Sequence, residues 1–145
     1  MPVKPSLKTN YTQGSVKATV SLDNTPFASE SVTLRDLGAE YSIRADMRSH
    51  LRYLQFFLDK NITPGTYSFG DGPGEIYAYL YYSHGEFGWS YYADSGTLNI
   101  AHVDLGQQLL EATFEFEAPG MEQGDPPVKV SKGKIHLTGP RGKTQ

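Results

Sequence analysis

The side chains that could carry acid–base or metal chemistry are thinly spread along this sequence. Its four histidines, His50, His84, His102 and His136, stand on separate segments, and no two share a metal-ligand spacing. His102 precedes Asp104 by two residues, so an extended backbone would put both on one face. A His–carboxylate pair acts on a nucleophile, and no nucleophile motif stands beside this one, so it reads as an exposed polar pair. Glu111, Glu115 and Glu117 share one strand face, and Lys129, Lys132 and Lys134 follow on the next strand. If those strands pair, the result is a solvated charge ladder worth about 0.2–1 kcal/mol per pair. Asp71-Gly72-Pro73-Gly74-Glu75 has spaced oxygens and glycines but lacks the alternating ligands of a calcium loop, and reads as a turn. There is no phosphate loop, dinucleotide fingerprint or Gly-x-Ser-x-Gly elbow. The sequence therefore assigns no catalytic residue, no metal site and no cofactor.

Recognition chemistry is concentrated in one place. The stretch Tyr77–Tyr92 contains Tyr77, Tyr79, Tyr81, Tyr82, Phe87, Trp89, Tyr91 and Tyr92, out of 10 Tyr, 7 Phe and 1 Trp in the chain. Strands over Glu75–Tyr82 and Phe87–Ala93, joined at His84-Gly85, would oppose Tyr82 to Phe87, Leu80 to Trp89, Ala78 to Tyr91 and Ile76 to Ala93. That face is apolar and reads as core, with Trp89 inside. The other face opposes Tyr81 to Gly88, Tyr79 to Ser90 and Tyr77 to Tyr92. Tyrosine covers a sheet well with its ring while keeping its hydroxyl wet, so this face has a purely structural reading. It also has a functional one: rigid rings beside Gly and Ser can stack on sugars or anchor a protein contact. The candidate binding residues are Tyr77, Tyr79, Tyr81 and Tyr92, with Ser90 and His84 nearby.

Composition narrows the classes. The 145 residues contain no cysteine, which excludes disulfide scaffolds, thiol catalysis, zinc knuckles and iron–sulfur clusters. A net charge of -3 and pI near 5.8 argue against a nucleic-acid partner, which would favour a basic face. No apolar run reaches the roughly 20 residues of a spanning helix, and no apolar segment follows the N-terminal basic residues as in a secretory signal. The default expectation is cytoplasmic, with export from a longer precursor as the other case.

The elements that must position these side chains show period-two alternation. Ser15–Leu22, Ser31–Arg35, Tyr41–Met47, Gly65–Phe69, the two hairpin strands, Gly96–Val103, Leu109–Glu117 and Val128–Leu137 all read as strands, the last with a bulge at Lys132-Gly133. His50–Lys60 has helical spacing at Leu51, Leu54, Phe57 and Leu58, but its aromatic content and the following prolyl turn favour a strand buried on both faces. About ten closely spaced strands predict an all-β chain, an antiparallel two-sheet sandwich with a small closed β-barrel as the alternative. Residues 1–14 read as a flexible N-terminal segment, 15–138 as a single β domain and 139–145 as a flexible tail.

Four motifs in order carry a resemblance: Ile62-Thr63-Pro64-Gly65-Thr66-Tyr67, Ser95-Gly96-Thr97-Leu98-Asn99-Ile100, Ala112-Thr113-Phe114-Glu115-Phe116 and Val130-Ser131-Lys132-Gly133-Lys134-Ile135. Together they resemble small bacterial β-sandwich domains of unknown function that are often found in exported lipoproteins. The resemblance implies a fold and no site residues, and the chain has no lipobox cysteine. The function expected from the sequence is a non-enzymatic binding module that uses the tyrosine face for glycan or protein contact. The alternatives are a small barrel enzyme with a His/carboxylate pair, favoured by a cavity holding His102 or His136, and a sandwich that lays its tyrosines on a membrane surface.

Overall fold

The computed structural model describes residues 9–22, 26–84, 87–121 and 125–140, with backbone alone for 9, 10, 84 and 87. The described residues form an all-β structure. Its strands are β1 (Thr9–Val20), β2 (Phe27–Ser29), β3 (Ser31–Asp36), β4 (Glu40–Met47), β5 (Arg52–Asp59), β6 (Gly65–Ser68), β7 (Tyr77–His84), β8 (Phe87–Tyr92), β9 (Ser95–Asp104), β10 (Leu109–Ala118) and β11 (Val128–Pro140). They make one sheet in the order β6-β9-β10-β11-β1-β3-β4-β5-β7-β8, with β2 paired to β1, and each strand pairing is antiparallel.

Alternation in the sequence becomes alternation in burial. Along β10, Leu110, Ala112, Phe114, Phe116 and Ala118 are buried, and the residues between them are exposed. Along β5, Arg52, Leu54, Phe56 and Leu58 are buried while Tyr53, Gln55 and Phe57 are half-buried. The strand reading of 50–60 is thus correct in type. The strand starts at Arg52, because 48–50 form a 3-10 turn. One of its faces is only partly covered.

The sheet curls around a single apolar core. Phe56 of β5 meets Phe114 of β10 edge-on, with ring centroids 4.9 Å apart, and Phe69 beyond β6 meets Phe116 at 5.4 Å. The segment just after β6 meets the residue just before β7. There Phe69 and Ile76 make an isolated parallel bridge, Ile76 N–H donates to the Ser68 carbonyl and Gly70 N–H to the Ile76 carbonyl. Between β8 and β9 the chain changes partners: Ala93 N–H donates to the Ala78 carbonyl of β7 and Asp94 N–H to the Glu117 carbonyl of β10. Gly96 in β9 has a φ of +123°, and a Cβ there would lie 2.2 Å from the Glu115 carbonyl, so this close approach to β10 requires glycine.

Strand boundaries differ from expectation at both ends. β1 begins at Thr9, whose neighbours pair with β3, and β11 runs through Pro140. The extension lacks an apolar signal because its buried residue is polar: Thr12 is fully buried and its hydroxyl donates to the Gly139 carbonyl at 2.9 Å. The expected bulge lies where predicted, with Lys132 at φ 54° and a register shift between Phe114 and Phe116.

Candidate functional site

β7 and β8 form the expected hairpin in a register two residues away from the expected one. Tyr79 lies opposite Tyr92, Leu80 opposite Tyr91, Tyr81 opposite Ser90 and Tyr82 opposite Trp89. The hairpin therefore turns between His84 and Phe87 rather than at His84-Gly85. A slip of two preserves the two faces, whereas a slip of one would have exchanged them. Leu80, Tyr82 and Tyr91 are buried and Trp89 packs partly buried against the core. Tyr77, Tyr79, Tyr81, Ser90 and Tyr92 lie on the outer face.

The side chains lean diagonally across the pair, which restores contacts that the Cα register does not make. Tyr79 Oη and Ser90 Oγ are hydrogen-bonded at 2.7 Å. The Tyr77 and Tyr92 rings are 5.7 Å apart, and Tyr79 and Tyr92 are 4.9 Å apart. The Tyr81 hydroxyl lies over Gly88, where a Cβ would be 2.1 Å from it. His84 pairs with Phe87 through its backbone, and its side chain is outside the described residues.

Two neighbouring strands complete the surface, and sequence reasoning missed both. Tyr53 of β5 lies 5.5 Å from Tyr79 and stacks on Tyr81 at 5.6 Å, and Phe57 lies 5.4 Å from Tyr77. Arg44 of β4 places its guanidinium 3.7 Å over the Tyr53 ring while Asp46 holds it at 3.1 Å. The signal was present in the alternation of Tyr53, Gln55 and Phe57, and it was hidden by reading β5 as buried on both faces. Tyr77 and Tyr92 remain 39% and 38% exposed.

At the Tyr77 end this face opens into a hollow of about 380 Å³, lined among others by Phe57, Tyr67 and Tyr77 and by Glu40, Asp59 and Asn61. Aromatic rings thus meet carboxylate and amide groups in one concavity. Burial raises the Tyr77 hydroxyl pKa above its ordinary value, and the neighbouring Tyr92 adds to the rise. Burial also raises that of Tyr53, helped by a hydrogen bond with Tyr79. Both phenols therefore stay neutral donors at neutral pH.

The histidines fall elsewhere. His102 and His136 flank Glu111 across β9, β10 and β11, with Nε2–Oε1 3.9 Å and Nδ1–Oε2 3.8 Å. Glu111 and His136 line an open hollow of about 500 Å³. All three side chains are more than half exposed, so water screens the contacts. His102 is thus partnered by Glu111 rather than by Asp104, whose carboxylate accepts from Gln107 N–H. No group of three or more His, Cys, Asp or Glu placed to hold a metal ion occurs among the described residues. Asp71–Glu75 forms a turn in which the Glu75 carboxylate accepts from Gly72 N–H at 2.9 Å. Glu117 stands opposite Lys129, and Thr113 rather than a glutamate stands opposite Lys134. Among the described residues no helix is long and apolar enough to cross a membrane.

A scan against protein-family models finds no match for this chain, and searches of curated proteins and of solved structures find none either.

Proposed function

We propose that the protein is a binding module that contacts a glycan through the outer face of β5, β7 and β8, centred on Tyr77 and Tyr92. The observation that carries this reading is the continuity of two features. A half-exposed aromatic face runs into a hollow where Phe57, Tyr67 and Tyr77 stand with Glu40, Asp59 and Asn61. Pyranose rings present apolar C–H faces that stack on aromatics and hydroxyl rims that bond to carboxylates and amides, and this surface offers both partners. Tyr79 and Ser90 lock one another in place, so the rings are preorganised and lose little freedom on binding.

A glycan array probed with the full chain tests the reading. The double variant Tyr77→Ser/Tyr92→Ser is expected to lose binding at least tenfold while melting within a few degrees of the parent. Unchanged binding, or a collapse in melting temperature that marks both rings as structural, would overturn the proposal. Binding to a protein and to no glycan would move the same face to a protein partner.

The finer architecture is proposed with it. The bonds linking Ser68, Gly70 and Ile76 support a small closed β-barrel over two separate packed sheets.

A further inference from the structure

Among the described residues β8 has one edge without a partner strand: it pairs with β7 and ends the strand order. Natural proteins blunt such edges with shortness, charge, proline or cover, because unpaired N–H and C=O groups recruit another strand. The molecule's other edges are blunted in this way. β2 has three residues between Pro26 and Glu30. β6 has four residues, follows Pro64, and its far end is held at Ile76. β8 has six residues, Phe-Gly-Trp-Ser-Tyr-Tyr, with no charge and no proline.

The direction of its backbone groups follows from one bond. Ala93 N–H donates to the Ala78 carbonyl, making these two a hydrogen-bonded pair. Antiparallel alternation then makes Leu80–Tyr91 and Tyr82–Trp89 hydrogen-bonded pairs as well. The N–H and C=O groups of Gly88, Ser90 and Tyr92 consequently point away from β7. Among the described residues no strand receives them.

We propose that β8 pairs antiparallel with β8 of a second copy of this chain, about a two-fold axis at Ser90. That register sets Gly88 opposite the partner's Tyr92 and Ser90 opposite the partner's Ser90. It uses every outward-pointing group, about six hydrogen bonds in all, where a register centred on Trp89 would use fewer. A two-fold also sets a strand against itself, so a charge near the axis would oppose its own copy. From Phe87 to Tyr92 β8 carries no charge, so none opposes its own copy within three residues of the axis; the acidic Asp94 lies beyond the paired groups. The two aromatic faces would become one continuous surface. The pairing does not depend on what that surface binds.

Sedimentation equilibrium of the full chain over a concentration series is expected to show monomer and dimer in exchange. Ser90→Lys and Ser90→Glu should each weaken the dimer at least tenfold, and an equimolar mixture of the two should recover a heterodimer. The natural chain has no cysteine. A lone Ser90→Cys should therefore oxidise to a covalent dimer faster than a Thr97→Cys control. A chain that stays monomeric to millimolar concentration overturns the proposal, as do charged variants that dimerise like the parent. If the charged variants fail to fold, the cysteine pair decides: oxidation at position 90 no faster than at 97 overturns it.

Discussion

Burial shifts the acidity of three phenols in this protein. Tyr53, Tyr77 and Tyr91 all have pKa values raised from 10.0, with desolvation as the largest cause in each. A raised phenol pKa means that the fold favours the neutral form. The unfolded chain ionises first as pH rises, so the associated stability is complete below pH 10 and is lost above it. Melting temperature is expected to hold through about pH 9 and then to fall. The double variant Tyr53→Phe/Tyr77→Phe should fall less steeply, as circular dichroism melts would show; an unchanged slope would refute the assignment. Two glycines show how context sets what a residue can do. A Cβ at Gly133 would strike the buried Phe114 ring at 2.5 Å, while one at Gly88 would strike only the hydroxyl end of the half-buried Tyr81. The first neighbour is held by the core and the second can swing outward.

At the scale of elements, alternation carried most of the information and turns carried least. Strand type was legible in β1 and from β3 through β11, most clearly where one face is buried, because burial imposes period two; β6, exposed or half-buried throughout, was legible from the prolyl turn before it. β2 was not legible, because three residues are too short to show a period. The β7–β8 register was misplaced by two because the faces alone do not distinguish registers that differ by two. The turn before β5 yields a test. Leu51 closes the 3-10 turn in a left-handed conformation at φ 53° and is 70% exposed, so it bears the strain of that backbone without the reward of burial. Leu51→Gly is expected to raise stability by up to about 1 kcal/mol in chemical denaturation. A loss instead would show that the leucine makes an apolar contact that outweighs its strain.

For the molecule as a whole, the seam between β6 and β7 is where strands far apart in the sheet order meet. Phe69 sits there, 1% exposed, with Phe56 at 6.3 Å and Phe116 at 5.4 Å. Phe69→Ala should cost about 3–5 kcal/mol, as a large aromatic removed from a core does. Hydrogen exchange should show the Gly70 and Ile76 amides opening before the rest of the sheet. Equal protection at those amides in the variant and the parent would mean that the seam is held by its backbone bonds alone. Ile76 also lines the hollow beside Tyr77, so Phe69→Ala is expected to weaken stability and binding together, whereas Tyr77→Ser/Tyr92→Ser should weaken binding alone.

By itself the sequence determined the all-β class, the inward and outward faces of its longer strands, the bulge at Lys132-Gly133 and the concentration of tyrosines on one hairpin. These are local properties, set by side-chain period and turn chemistry within a few residues. Only the tertiary structure decided which strands lie side by side. It set Tyr53 and Phe57 of β5 and Arg44 of β4 beside the hairpin, brought Phe69 against Ile76, and put Glu111 between two histidines far apart in the chain. Those neighbours depend on how the sheet curls, and curling is settled by packing the whole core at once, which no local pattern encodes.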